Sequence, residues 1–277
     1  MSKRPPNAAP LPSTMRMRTP DGATLACRIR PAVSGGSGGS GGSAAAGPGV
    51  LFCGGFRSDM TGRKAQFLDA VCARRGLSFA RFDYRGCGAS EGWFEDGGIG
   101  AWFQDALAVL DAGTTGPQVI VGSSMGGWLA LLLARARPER VQALVLLAPA
   151  PDFPQRLILP ALDVAARRAL QRDGACWIPA SGPGERPYQL TRGFFDDAAA
   201  HGVLEAAPLP WSGPARILHG GCDREVPLVF ALWTAAALAA AEVRVTVAAA
   251  GDHRLSEPPQ LHWLEAQVAE AVGAGAV

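Results

Sequence analysis

The 277-residue sequence lacks a charge excess, since 26 Lys and Arg residues stand against 24 Asp and Glu residues for a formal net charge of +2. This balance gives no electrostatic reason to expect nucleic acid or an acidic partner. It also lacks any C-x-x-C pair among its six cysteines, and no histidine lies at metal-ligand spacing from them. We therefore expect free thiols in a reducing compartment and no structural metal.

Long hydrophobic runs are missing as well. No apolar stretch continues without charge, proline or glycine for the roughly 20 residues that a membrane-spanning helix needs. Residues 1–19 are basic and proline-rich, without the apolar core of a secretory signal, and we interpret them as a disordered leader. We expect a soluble, cytoplasmic protein with a single domain over residues 20–277.

Hydrophobic residues make up 48% of the chain, and apolar strand and helix patterns alternate along it. Residues 21–33 predict an opening strand, and the Gly/Ser tract at 34–49 predicts a flexible loop between the first strands. Later strands are predicted over 49–55, 77–84, 118–121, 141–149, 215–220 and 242–249, with helices over 62–76, 99–112, 126–136, 229–241 and from 259. This alternation predicts an α/β fold with a mostly parallel sheet covered by helices on both faces.

The segment 151–210 interrupts the alternation with a predicted helix over 160–172 and several aromatic side chains. Because it follows the carboxyl end of a strand, it is expected to cover the edge of the sheet where ligands bind. We interpret it as an apolar lid, the alternative being an insertion packed for stability alone. The aromatic residues are Phe153, Trp177, Tyr188, Phe194 and Phe195.

A Gly-x-Ser-x-Gly motif lies where the strand over 118–121 meets the following helix. Gly122 and Gly126 have no Cβ, so strand and helix can approach closely around a sharp turn that places Ser124 in a strained conformation. Such a strand–turn–helix is typical of a nucleophile elbow, with Ser124 rather than Ser123 at its centre.

A serine nucleophile requires a base, and in this architecture the order along the chain is serine, acid, histidine. His253 follows a predicted strand and is the predicted base. His219 precedes the best acid, and His262 lies within the last predicted helix, where a surface histidine is ordinary.

The acid is expected from a strand end between Ser124 and His253. Asp223 lies in the turn after the strand over 215–220 and is predicted to orient the imidazole of His253. Asp152 is the rival acid, while Glu225 is expected to be solvated.

The oxyanion of the reaction needs preorganised N–H donors. We expect one from Met125, at a helix N-terminus directly after the nucleophile, and one from the main chain of Phe56, after the Gly54-Gly55 pair. Asp83 and Arg85, which have glycines and Ser90 around them in the sequence, are interpreted as bracing a turn. Three cations near the oxyanion loop could bind an acidic leaving group: Arg57, Arg63 and Lys64.

Two segments carry a family resemblance. The segments are "GFRSDMTGRKAQFLDAVCARRGLSFARFDYRGCGASEG" and "VGSSMGGWLALLLARARPERVQALV". They resemble the acyl-protein thioesterases of mitochondria, α/β hydrolases that also hydrolyse an acyl-glucuronide, and the bacterial relatives of these enzymes. The similarity covers roughly residues 49–265 and carries the family's catalytic triad onto Ser124, Asp223 and His253. Two features depart from the family: the Gly/Ser tract, and Cys53 where related hydrolases often have histidine.

These patterns together predict a cofactor-free serine hydrolase that cleaves carboxylic esters or thioesters of a small molecule or an acylated protein through an acyl-enzyme on Ser124. Phe153, Trp177, Phe194 and Phe195 are predicted to bind the acyl chain. The alternatives are a C–C bond hydrolase with the same triad and a non-catalytic binding protein on this scaffold.

Overall fold

The computed structural model describes residues 13–32, 47–180, 186–206, 208–238 and 242–273. Within this part of the chain, one eight-stranded sheet has the order β1-β2-β4-β3-β5-β6-β9-β10, and β7 and β8 form a separate hairpin. The strands are β1 Met15–Arg18, β2 Thr24–Arg30, β3 Gly49–Cys53, β4 Phe79–Phe82, β5 Gln118–Ser123, β6 Val141–Leu147, β7 Ala175–Ile178, β8 Tyr188–Thr191, β9 Ala215–Gly220 and β10 Val243–Ala248.

The sheet is mostly parallel, as the alternation of elements predicted. Strands β4, β3, β5, β6, β9 and β10 are parallel to one another, while β2 pairs antiparallel with both β4 and β1 at the edge. The central strands β3, β5 and β9 are buried along their whole length, as expected for a parallel sheet covered on both faces. The edge strand β10 instead alternates between partly buried and exposed positions.

Helices cover both faces of this sheet. Helices α1 and α8 share one core cluster with the sheet, while α2, α3, α7 and the insertion share the other. Helix α3 is buried around nearly its whole circumference, because it lies beneath α2 and the insertion. The helices are α1 Arg63–Arg75, α2 Ile99–Gly113, α3 Met125–Ala136, α4 Leu159–Ala161, α5 Val164–Asp173, α6 Arg192–Ala200, α7 Val229–Ala237 and α8 Pro258–Gly273.

The amino-terminal edge corrects one prediction. Met15–Arg18 form strand β1, paired antiparallel with β2, and Arg16 donates a hydrogen bond to the carbonyl of Ala89 at 2.7 Å. The interpretation of residues 1–19 as a disordered leader is therefore wrong for this strand. Residues 1–12 and 33–46 lie outside the described residues, and the second of these ranges includes most of the Gly/Ser tract predicted over 34–49.

The insertion also differs in detail from its prediction. The expected helix begins at Val164 rather than at 160, because the side chain of Asp163 accepts the N–H of Ala166 at 2.7 Å and caps it. The preceding residues form a π-helical turn over Pro154–Ile158 and the short helix α4. The hairpin of β7 and β8, which the sequence did not predict, leads into helix α6.

Within the described residues, no helix has the length and apolarity needed to cross a membrane. The same part of the chain holds no group of three or more His, Cys, Asp or Glu residues that could bind a metal ion. The six cysteines are free, and Cys222 alone among them is exposed.

Candidate active site

Ser124 lies in a sharp turn between β5 and α3. Its φ is positive, at +54° with a ψ of −118°, a conformation that a non-glycine residue adopts only where the surrounding structure enforces it. A Cβ on Gly122 would lie 2.5 Å from the carbonyl oxygen of Gly126, and a Cβ on Gly126 would lie 2.1 Å from that of Cys53. Only glycine fits at these two positions, so the elbow has the close packing that the motif predicted.

The loops after three strands bring Ser124, His253 and Asp223 into one hydrogen-bonded line. Ser124 Oγ lies 3.0 Å from His253 Nε2, and His253 Nδ1 lies 2.8 Å from Asp223 Oδ2. An imidazole that donates from Nδ1 to a carboxylate has its Nε2 lone pair free to accept the serine proton. The arrangement can therefore activate a serine hydroxyl.

The carboxylate of Asp223 is almost completely buried, with 1% of its side chain exposed. Its Oδ1 accepts the N–H groups of Glu225 at 2.9 Å and Val226 at 2.8 Å. Burial opposes ionisation, but the hydrogen bonds from His253 and from these N–H groups outweigh it, so the pKa of Asp223 lies below its usual value. Asp223 is thus ionised at neutral pH and can stabilise an imidazolium.

His219 lies behind this acid and not beside the serine. It is fully buried, and its Nε2 lies 2.9 Å from the carbonyl oxygen of Val226 and 3.4 Å from Asp223 Oδ2. Burial lowers the pKa of His219, which keeps the ring neutral. Its contacts support the acid loop, in line with its exclusion as the base.

The rival acid Asp152 has a different set of partners. Its carboxylate accepts the N–H of Val203 at 3.0 Å and that of Leu204 at 2.9 Å. It therefore ties the end of the insertion to the loop after β6. Glu225 is mostly exposed, as expected, although its carboxylate lies 3.9 Å from His253 Nε2.

The two predicted oxyanion donors lie on either side of Ser124. Met125 is the first residue of α3, where backbone N–H groups have no intrahelical acceptor. On the other side, a Cβ on Gly55 would be 3.5 Å from that of Ser124, so the main chain leading to Phe56 passes directly beside the nucleophile. No loop backbone hydrogen bond among the described residues uses the N–H of Phe56 or Met125.

The side chain of Phe56, which the sequence did not single out, is the centre of an aromatic cluster. Its ring centroid lies 5.2 Å from that of Phe153, 5.8 Å from Tyr188 and 5.9 Å from Phe194. Phe195 packs on Phe194 at 5.5 Å and is buried. These contacts bring the insertion against the oxyanion loop.

Trp177, which was predicted to bind the acyl chain with the other aromatic residues, is 64% exposed. It lies on β7, where the neighbouring Cys176 is buried. Successive residues of a strand face opposite sides, so the side chain of Trp177 points away from the side that the hairpin buries. The structure does not bring Trp177 into the cluster.

The three cations expected to bind an acidic leaving group have other partners. Arg57 donates to the carbonyl of Arg186 at 3.1 Å, and its guanidinium lies 4.1 Å from the ring centroid of Tyr188. Arg63 pairs with Glu257 at 3.1 Å.

Lys64 donates to a carbonyl of the loop that carries His253. Arg57 thus links the oxyanion loop to the insertion, and Arg63 and Lys64 link helix α1 to the segment after His253.

Asp83 and Arg85 brace the neighbouring turns, as predicted. Asp83 is buried and accepts the N–H groups of Met60 at 2.6 Å and Ala89 at 2.8 Å. Arg85 pairs with the buried Asp105 at 2.7 Å. These contacts lie within the protein and leave neither group available for the reaction.

Residues 48–176 match the family model described as serine aminopeptidase S33, a hydrolase family. The palmitoyl-protein thioesterase ABHD10 of Rattus norvegicus, a mitochondrial protein, is 37% identical over 217 residues, which are 78% of this chain and 72% of that relative.

Two solved structures are similar over nearly their whole length. A putative hydrolase from Agrobacterium vitis S4 has a TM-score of 0.84 at 35% identity, covering 94% of this chain and 98% of that one. Mouse ABHD10 has a TM-score of 0.82 at 31% identity, covering 95% and 99%. The chain therefore belongs to the ABHD10 palmitoyl-protein thioesterase family of α/β hydrolases, and it is a hydrolase of carboxylic esters or thioesters.

Proposed function

We propose that this enzyme removes medium or long acyl groups from thioesters and esters, including acylated cysteines of proteins, through an acyl-enzyme on Ser124. The observation that carries the proposal is the hydrogen-bonded line from Ser124 through His253 to Asp223. The names of the relatives support the thioester part, since those proteins are palmitoyl-protein thioesterases.

In the first half of the proposed reaction, His253 Nε2 accepts the proton of Ser124 as Oγ attacks the acyl carbonyl. The developing oxyanion lies between the N–H groups of Phe56 and Met125, which are held in place before the substrate arrives. His253 then donates its proton to the departing thiolate or alkoxide, and Asp223 stabilises the imidazolium in between.

In the second half, a water molecule replaces the leaving group beside His253. The imidazole accepts a proton from this water, which attacks the acyl carbon and releases the fatty acid. Ser124 recovers its proton from His253.

The acyl chain is assigned to the aromatic cluster around Phe56. Phe56 supplies both an oxyanion N–H and the ring at the centre of the cluster, so a chain attached to the bound carbonyl meets this ring first. Phe153 and Phe194 pack against the same ring. Each CH₂ that becomes fully buried contributes about 0.8 kcal/mol, or roughly fourfold in kcat/KM.

The nucleophile is tested with Ser124→Ala and the neighbouring Ser123→Ala as matched control. We expect Ser124→Ala to abolish hydrolysis of a decanoyl nitrophenyl ester and an acyl-cysteine peptide, together with fluorophosphonate labelling. Ser123→Ala should be labelled like the wild type. Labelling that persists in Ser124→Ala would overturn the assignment.

The acyl site is tested by comparing acetyl and decanoyl esters in Phe153→Ala and Trp177→Ala. Wild type and Trp177→Ala should prefer the decanoyl ester, because the exposed Trp177 is outside the cluster. Phe153→Ala should lose most of this preference. Equal kcat/KM for both esters in the wild type would refute the acyl site while leaving a serine esterase.

A further inference from the structure

The loop that carries His253 holds an unfavourable backbone conformation. Leu255, two residues after the imidazole, has a φ of +45° and a fully buried side chain. A left-handed conformation is disfavoured for a leucine and persists only where other contacts impose it. The contacts that impose it here therefore also determine where His253 lies.

The peptide group between Arg254 and Leu255 is held at both ends. The N–H of Leu255 donates to Asp252 Oδ1 at 3.1 Å. The carbonyl oxygen of Arg254 accepts a hydrogen bond from Lys64 Nζ and another from Ser256 Oγ, the latter at 2.9 Å. Asp252 and Ser256 belong to the loop itself, so among these three hydrogen bonds the one from Lys64 comes from another part of the fold, while the buried side chain of Leu255 anchors the loop in the core.

Lys64 lies in the first turn of α1, the helix that follows the oxyanion loop. Its side chain is partly buried, and this burial lowers the pKa of Lys64 to about 8. The negative charge of Asp252 raises the pKa and the positive charge of Arg254 lowers it further, but both effects are smaller than that of burial. Its neighbour Arg63 also reaches the loop, but through an ion pair with Glu257 in which both side chains are mostly exposed. Exposed pairs of that kind contribute little.

We propose that Lys64 is a positioning residue of the hydrolysis: its ammonium fixes the 254–255 peptide group and so keeps His253 Nε2 directed at Ser124 Oγ. This inference rests on the proposed function, because it assigns a role in orienting the same base. It also replaces the expectation that Lys64 binds a leaving group, since its ammonium donates to the protein.

A pH dependence follows from the charge of this donor. A charged ammonium makes a stronger hydrogen bond to a carbonyl than a neutral amine does. As pH rises through about 8, Lys64 loses its proton, the loop is held less firmly, and kcat declines. The charged groups around the ammonium are Asp252 and Arg254 on the loop and the Arg63–Glu257 pair beside it.

The test compares Lys64→Met, which removes the donor, with Lys64→Arg, which keeps a permanent charge, and Arg63→Met as the matched control. For a decanoyl ester at pH 7, Lys64→Met should lower kcat by about 10- to 100-fold, the range for losing a hydrogen bond to a charged group or displacing a reacting group by about 1 Å. KM should stay within threefold, and fluorophosphonate labelling should slow by the same factor as kcat. Lys64→Arg should recover most of the loss, and Arg63→Met should match the wild type.

The pH profile separates positioning from a structural role. The wild type should lose kcat above about pH 8, whereas Lys64→Arg should keep it to pH 10. Equal kcat in Lys64→Met and Arg63→Met, or the same alkaline decline in wild type and Lys64→Arg, would overturn the inference.

If Lys64→Met does not fold, the pH profiles of wild type and Lys64→Arg still decide. A wild type whose Ser124 is not labelled would instead refute the proposed function.

Discussion

Replacing Gly126 by alanine tests how tightly the nucleophile elbow is coupled to the oxyanion loop. The added Cβ would lie 2.1 Å from the carbonyl oxygen of Cys53 and 2.5 Å from that of Gly54, against an ordinary contact distance of at least 3.4 Å. Both obstacles are backbone atoms, so no side-chain rotation relieves the clash. Either the start of α3 or the segment 53–54 must move by more than 1 Å.

That displacement acts on the two residues assigned as oxyanion donors. Phe56 follows Gly54 by two residues, and Met125 directly precedes the new side chain, so their N–H groups move apart. A misplacement of about 1 Å is associated with losses near 10²-fold in rate. Overpacking costs about 1–3 kcal/mol, which for a domain of this size corresponds to a fall in Tm of roughly 2–12 °C.

The assay measures kcat/KM on a decanoyl nitrophenyl ester and the Tm of each variant. Gly193→Ala in α6 is the matched control, because its Cβ would meet only Thr191 Oγ1, at an ordinary 3.7 Å. We expect Gly193→Ala to keep both values close to wild type. A Gly126→Ala enzyme with kcat/KM within threefold of wild type would refute the proposed coupling between elbow and oxyanion loop.

The remaining predictions concern charged groups near the triad. Asp223→Asn should lower kcat by about 10⁴-fold, as expected when an imidazole loses its orienting carboxylate, whereas Asp152→Asn should lower Tm and retain kcat; the reverse result would make Asp152 the acid. Glu225→Gln should reduce kcat/KM for thioesters of cysteamine, a cationic leaving group, and raise kcat/KM for thioesters of mercaptopropionate, an anionic one. Each change should be about fivefold, the effect of one charge at 4 Å in water. An unchanged ratio of the two kcat/KM values would contradict this prediction. The pKa of Lys64 falls from its ordinary 10.5 to about 8 on folding, so between pH 8 and 10.5 the unfolded chain binds more protons than the folded one. The unfolding free energy of the wild type, measured relative to Lys64→Met by denaturant titration, should therefore rise with pH over this range.

The central part of the fold and the three residues of the catalytic triad could be predicted because each depends on a pattern within a short stretch of sequence. The strand before Ser124, the glycines at 122 and 126 and the helix after them all lie within one short segment. Asp223 and His253 each follow a recognisable strand, and the carboxyl ends of parallel strands meet at one edge of the sheet. A linear sequence therefore indicated which side chains meet, although not their distances.

The features that could not be predicted depend on partners distant in the chain. Four residues with the sequence MRMR become strand β1 only because β2 offers an unpaired edge, and nothing in their composition shows that edge. Trp177 and Phe194 are both aromatic residues of the insertion, yet one is exposed and the other buried. Trp177 is exposed because of its place in a hairpin that the sequence did not reveal, and Phe194 is buried on the helix that follows this hairpin.

The sheet order explains why the histidine loop needs an external support such as Lys64. Strand β10 lies three positions from β5 in the sheet, which at about 4.8 Å per strand is about 14 Å. The loop after β10 must therefore extend across β6 and β9 before His253 reaches Ser124, and Asp223, in the turn after β9, binds the imidazole at Nδ1. Helices α1 and α8 pack together on one face, which brings the long side chain of Lys64 within reach of this loop. A lysine at this place can thus link the oxyanion side of the site to the side that carries the base.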